Sequence, residues 1–418
     1  MNMYHPVDLF QPGRLKDFKQ TQKNDMMSIL LNRVCKKPMQ PTYIEYQELN
    51  RSMIVGDPHM EKVVNWVFEN PKKHRPMFNT ALYQGVDKLT EPAPVLEEFF
   101  AHVETKPDWV DSSQFNDAVK FVHRLGMNYG FVSRDLALMF GYMYPGLNQP
   151  LLATGALNKS VSLRMAETTK WFIDVTEIDS MNRFSSGFTS TIYVRFIHSL
   201  VRRQLATSPK WDNQQWGTPI NQYDMALTNV AFSQVILIGV RALGVFPSKK
   251  EIKSFLHFWK YAGWLMGVEE RWLPETEWEA WRLLYWLRFV HPDADESSKI
   301  LGLSLSQEPL ARNYPEMGPL TRKYPKVREY MPKIAYQQHI GMSRFFLGKG
   351  KLKKLGVDTN VLPWFPLVII PRNVVLYNVA KVAPPLKDFL TKRGRMDQKL
   401  GFSLYHPEGN VGLASMHQ

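Results

Sequence analysis

The 418-residue sequence predicts an all-α protein. Three observations carry that expectation. Apolar residues recur three or four positions apart, as at Phe115, Val119, Val122 and Leu125. No stretch of any length alternates apolar and polar residues with period two, so a sheet has no support. Helix punctuation brackets the periodic segments: Gly244 and Pro247 end one of them, and Ser248 with Glu251 three residues later forms a capping box that starts the next.

Three regions follow in order. Residues 1–95 are punctuated by proline, with helical stretches over 43–55 and 61–69, and read as an N-terminal helical arm packed on the core. Residues 96–305 form the core. Its helices are expected over 113–127, with Ser112 and Ser113 as N-cap candidates, then 133–143, 162–175, 189–206, 220–243, 248–267 and 274–290. The segment 220–243 is the longest and most apolar, hence central. Residues 306–418 form a basic C-terminal extension, with a helix over 325–341, a proline-broken segment, and a polar tail from about Gly401. No internal repeat is visible.

Composition narrows the class. Apolar residues make up 44% and aromatics 13%, with 12 Trp and 24 Phe, enough for a large core containing an apolar pocket. The single cysteine, Cys35, excludes an intramolecular disulfide and a thiolate cluster within the chain, which fits a reducing compartment. The first 20 residues lack an apolar signal-peptide core, so a cytoplasmic location is expected. The most apolar run, VLPWFPLVII at 361–370, is too short and too broken by proline to span a bilayer, and reads first as a buried turn and helix. The net charge of +13 lies in residues 321–400, which hold 17 Lys and Arg against 4 Asp and Glu. This segment reads first as a solvated basic face and next as a surface for peripheral contact with an anionic membrane. Nucleic acid is disfavoured, because the basic run Lys349, Lys351, Lys353, Lys354 lacks interleaved stacking aromatics.

The chemistry concentrates in residues 189–203, TSTIYVRFIHSLVRR. Arg195, His198 and Arg202 fall at i, i+3 and i+7, on one face of an otherwise apolar helix. A lone histidine there is ordinarily a hydrogen-bonded core residue. Two flanking arginines change the balance, because buried cations need anions. Haem b would supply iron to His198 and propionates to Arg195 and Arg202. Protein carboxylates are the alternative, with 39 Asp and Glu to draw on. A second segment, VSLRMAETTKW at 161–171, places Arg164 and Thr168 at i and i+4, with Trp171 on the same face. Arg164 and Thr168 could polarise bound O2. Glu167 is either a base or the surface partner of Lys170, with the surface pair favoured. Hydrolase, dehydrogenase, kinase and two-histidine metal motifs are absent from the sequence.

These segments resemble a known family. Thr154-Gly155-Ala156-Leu157, then Arg164-x-x-Glu167-Thr168-x-x-Trp171, then Tyr193-Val194-Arg195-x-x-His198-x-x-Val201-Arg202, are similar to the haem oxygenases that include the latex-clearing proteins and the mycophenolic-acid pathway oxygenase. The run Trp216-Gly217-Thr218-Pro219-Ile220-Asn221-Gln222-Tyr223-Asp224 is similar to the latex-clearing branch in particular. The resemblance covers residues 95–305. It implies a globin-like helical core around haem b, His198 as the proximal iron ligand with Arg195 and Arg202 near the haem, and Arg164 and Thr168 on the oxygen-binding side. The implied activity is O2-dependent cleavage of C=C bonds in an isoprenoid or polyisoprene-like substrate. A hydroxylase or peroxygenase, or a haem sensor or carrier without turnover, would use the same scaffold.

Overall fold

The computed structural model describes residues 10–155, 161–312, 314 and 325–405. Among these every regular element is helical. The polar tail beyond residue 405 and the Ala156-Leu157 part of one motif lie outside the described residues.

Capping chemistry sets most of the boundaries. α1 (Met26–Cys35) opens on a capping box of Asp25 with Ser28, and α2 (Tyr43–Ile54) on one of Thr42 with Glu45. α3 (Pro58–Glu69) and α4 (Pro71–Tyr83) each begin with proline after an Asx cap, Asp57 and Asn70. α5 (Pro94–Glu104) follows. Before α6 (Phe115–Leu125) a 3-10 turn intervenes, and Asp111, not Ser112 or Ser113, accepts the first free amide, that of Ser113. α7 (Met127–Phe131) runs into a π-helical stretch, Val132–Leu138. Next come α8 (Pro145–Ala153), α9 (Val161–Val175) and α10 (Ser186–Ala206).

The helix expected over 220–243 is two helices, α11 (Gln222–Phe232) and α12 (Gln234–Ala242). Ser233 breaks the run with φ −113° and ψ −87°, outside helical space. α13 (Lys249–Leu265) starts on the expected box of Ser248 with Glu251. α14 (Glu277–Val290) starts later than expected, because Thr276 and Glu279 make its capping box. α15 (Glu296–Gln307), α16 (Pro325–Lys354), α17 (Trp364–Val382) and α18 (Pro384–Ser403) complete the order. α16 runs past residue 341 and kinks at Gly348, whose φ of 75° is outside helical space.

The chain packs as two compact units. One contains the described parts of Met1–Lys106, together with Ile192–Val230 and Gly263–Pro292. Its core stacks Phe78 of α4 on Phe196 of α10 at 4.4 Å. Arg14 ties the N-terminal segment down through a bidentate pair with Asp224 of α11, at 3.2 and 2.7 Å.

The other unit contains Pro107–Thr191, Ala231–Ala262 and the described parts of Asp293–Gln418. Here α18 lies against α6 at backbone contact. A Cβ on Gly394 would stand 2.1 Å from the His123 carbonyl, so only glycine permits the approach. The π-helical stretch carries Arg134 and Asp135 into a buried network. Asp135 meets the His339 ring at 2.7 Å, and Arg134 and Arg312 share Glu308. The apolar run at 361–370 is not buried as expected. It opens α17, whose inward positions include the polar Asn373 and Tyr377, and Leu367 and Val368 face solvent.

Candidate functional site

His198 sits mid-way along α10, one turn from Arg195 and one turn from Arg202. Its ring is half-buried, and its Nδ1 is enclosed with no hydrogen-bond partner. Burial, reinforced by the charge of Arg202, lowers its pKa to about 4, so the imidazole is neutral at pH 7. Neutral imidazole is the form that ligates metal.

Both arginines are buried, and each has a protein anion. Arg195 clasps Asp57 through Nε to Oδ2 at 2.6 Å and Nη2 to Oδ1 at 2.8 Å, and its Nη1 donates to the Leu265 carbonyl at 3.2 Å. Burial opposes ionisation of Asp57, but Arg195, and Arg202 beyond it, hold the carboxyl below the usual carboxylate range. Gly267 makes this clasp possible: its φ is +92°, and a Cβ there would lie 2.4 Å from Asp57 Oδ2. Arg202 reaches Glu61 at 3.2 Å and Ser199 Oγ at 3.1 Å. It also donates to the carbonyls of Pro219 and Ile220, at 3.1 and 2.7 Å.

Those carbonyls belong to the run 216–224 singled out in the sequence. Ile220 takes φ +49°, a conformation that a β-branched residue resists. The loop is held there by Asn221, which donates to the Thr218 carbonyl at 3.0 Å and to Asp224 at 2.8 Å. Backbone strain is therefore spent on aiming two carbonyls at Arg202. The charge requirement of Arg195 and Arg202 is met by Asp57 and Glu61, the protein-carboxylate alternative that the sequence left open.

Arg164, Glu167 and Thr168 lie on α9, in the other unit. Arg164 is half-buried, with its Nε enclosed and unpartnered. Its guanidinium stands beside the Tyr142 hydroxyl, whose pKa burial raises while Arg164 and Arg134 oppose the rise. Thr168 is exposed and Glu167 half-buried. Lys170 pairs with Asp174 at 2.5 and 2.6 Å. Trp171 donates to Thr191 Oγ1 at 3.1 Å and packs on Phe232 at 5.2 Å.

The residues that sequence reasoning missed are Asp57, Glu61 and Tyr142. Asp57 was legible only as a helix cap before Pro58; its partner Arg195 lies 138 positions away. Among the described residues no group of three His, Cys, Asp or Glu side chains could hold a metal ion.

An all-helical chain carrying one such histidine face is compatible with an oxygenase catalytic domain, and comparison with known proteins identifies it as one. Residues 130–367 match the family described as ER-bound oxygenase mpaB/B'/Rubber oxygenase, catalytic domain. The chain belongs to that family. It is 24% identical over 198 residues to the rubber oxygenase of Streptomyces sp. (strain K30), a match spanning 44% of this chain and 46% of that protein. The matched region is thus under half the length of the curated relative. The fold is similar to that of latex clearing protein LCP in the closed state, with a TM-score of 0.59 and 18% identity over 82% of this chain and 90% of that one.

Proposed function

We propose that this chain is a haem b-dependent oxygenase that uses O2 to split C=C bonds of a hydrophobic isoprenoid or polyisoprene-like substrate into carbonyl fragments. The observation that carries the cofactor is the enclosed, neutral, unpartnered nitrogen of His198. A single imidazole without companion ligands does not retain a free ion. A macrocycle that brings four nitrogen donors of its own needs only one protein ligand. The residues present therefore fit a haem. When bound, it supplies the iron chemistry that activates O2.

The remaining work belongs to the chain. His198 would ligate the iron. Arg195 and Arg202, anchored by Asp57 and Glu61, fix the rotation and height of its helix, while burial, with the charge of Arg202, keeps the imidazole unprotonated. Arg164, which the family resemblance assigns to the oxygen-binding side, would donate hydrogen bonds to oxygen, and its unpartnered Nε supports that reading. Thr168 would supply a second donor, and the Glu167 carboxylate would act as base, taking a proton from the substrate and returning it, so that no proton is gained or lost overall. In balance, one alkene and one O2 give two carbonyl products, with each oxygen atom ending on one former alkene carbon. The apolar pocket expected from the aromatic-rich composition would hold the alkene and exclude water.

The test is the absorption spectrum of the purified holoprotein, followed by incubation with squalene or polyisoprene oligomers under O2. A Soret band lost in His198→Ala, together with aldehyde and ketone products from the wild type, is the expected result. Full haem occupancy in His198→Ala refutes the ligand assignment, and a loaded protein that cleaves no alkene refutes the activity.

A further inference from the structure

α17 is built inside out. Its inward stripe is Pro366, Ile369, Asn373, Tyr377 and Ala380, spaced by three or four residues. The two polar members are fully engaged there. Asn373 donates to Asn128 and to the Leu243 carbonyl, each at 2.9 Å, and the Tyr377 hydroxyl donates to the Arg124 carbonyl at 2.7 Å. The outward stripe is the apolar one. Leu367 is 74% exposed, Val375 61% and Val382 84%, with Trp364, Val368 and Val379 on the same face. Phe389 of α18 adds another exposed ring, 60% open. Among the described residues two helical stretches are apolar and long enough to cross a membrane, and they differ in burial. The apolar part of Gln222–Ala242 is 67% buried in the protein, whereas that of Trp364–Val382 is 28% buried. The first is the buried pair α11 and α12, broken at Ser233. The second presents its apolar surface to its surroundings.

Cations flank that surface. At 100° per residue, Arg372 and Lys381 fall on opposite sides of the apolar stripe, and Lys392 projects from α18 into solvent. Residues 321–400, which include α17 and most of α18, hold 17 Lys and Arg against 4 Asp and Glu. Such a face repels a second copy of itself and attracts an anionic one. A broad apolar stripe rimmed by lysine and arginine is the pattern of a helix lying in a lipid headgroup layer. Spanning is excluded by the hydrogen bonds of Asn373 and Tyr377, which fix the opposite side of α17 to the protein.

We propose that the outward face of α17, with Phe389 of α18, is a docking surface for anionic phospholipid membranes. The helix lies in the plane of the interface, with its valines and leucines among the upper acyl chains and Arg372, Lys381 and Lys392 on the phosphates. The test is co-sedimentation of the full-length protein with vesicles of phosphatidylcholine alone and of phosphatidylcholine mixed with phosphatidylglycerol, alongside its elution volume on gel filtration. Binding to the anionic vesicles is expected to exceed binding to neutral ones at least tenfold and to fall with salt. The double variant Val375→Asp/Val379→Asp is expected to lose binding with unchanged circular dichroism. Arg372→Glu and Lys381→Glu, at positions already in solvent, are each expected to weaken it by about fivefold or more. No sedimentation with anionic vesicles at low salt overturns the proposal. So does a dimer that Val375→Asp dissociates, which would show that a second copy covers the face. Neither readout depends on haem or turnover.

Discussion

Arg195 and Asp57 form a bidentate ion pair, at 2.6 and 2.8 Å, with each side chain only 3% exposed. The two residues join α10 to the start of α3, one turn away from His198. Removing one partner of a buried pair strands the other charge and costs about 3–5 kcal/mol, whereas replacing both with apolar groups is often neutral. Asp57→Asn is therefore expected to lower the urea midpoint of unfolding sharply. Asp57→Leu combined with Arg195→Met is expected to recover most of the loss. A double variant no better than the sum of the single ones would show that the pair has no coupling to lose.

Two glycines of this chain predict opposite outcomes. Gly267→Ala places a methyl 2.4 Å from Asp57 Oδ2 on a backbone at φ +92°, so it should destabilise by more than about 2 kcal/mol and reduce haem occupancy with it. Gly350 lies in α16 with nothing within 4 Å of an added Cβ. Gly350→Ala should stabilise by about 0.4–1 kcal/mol, because alanine restricts the unfolded chain and costs nothing in the folded one. Thermal unfolding of the two variants side by side distinguishes them, and a stabilised Gly267→Ala would refute the close approach.

His123 sets part of the acid response. Burial, then the charge of Arg395, lowers its pKa from 6.5 to about 4, while its Nε2 faces the Thr176 carbonyl at 2.6 Å. Between pH 4 and 6.5 the unfolded chain binds a proton at this position that the native chain does not. The stability that comes from keeping His123 neutral is therefore complete above pH 6.5 and is lost as pH falls toward 4, with a slope of up to about 1.4 kcal/mol per pH unit. His123→Gln retains an amide donor for Thr176 and has nothing to titrate. Its stability should fall less steeply over that range, and a slope equal to wild type would refute the assignment.

What could be read from the sequence was local. The capping box of Ser248 with Glu251 follows from spacing alone, as does the single face shared by Arg195, His198 and Arg202, whereas the box of Thr276 with Glu279 was overlooked behind Pro274 and moved the start of α14. The break at Ser233 carried no proline or glycine to mark it. The counter-ions were hidden for a different reason: Asp57 and Arg195 meet across 138 positions, and any of 39 carboxylates was a candidate. The exposure of α17 was misjudged because its first half is apolar on every side. Only Asn373 and Tyr377, turned inward by the fold, decide which face meets the outside.

Arg164 separates chemistry from cofactor binding. It lies on α9, its Nε has no partner, and its guanidinium leans on the Tyr142 hydroxyl. In the proposed reaction it contributes charge where negative charge develops and does not hold the cofactor. Arg164→Met is therefore expected to keep the Soret band and the thermal midpoint near wild type while lowering kcat by about 10²–10³, the usual loss when one preorganised donor is removed. Arg164→Lys should restore part of the rate, since it returns the charge without the planar fork. Thr168→Val, which deletes one exposed hydroxyl, should cost less. Single-turnover measurement with a soluble isoprenoid separates these effects from product release. Arg164→Met turning over at the wild-type rate with full haem would remove Arg164 from the reaction and leave Thr168 and Glu167 as the only polar groups proposed for that side.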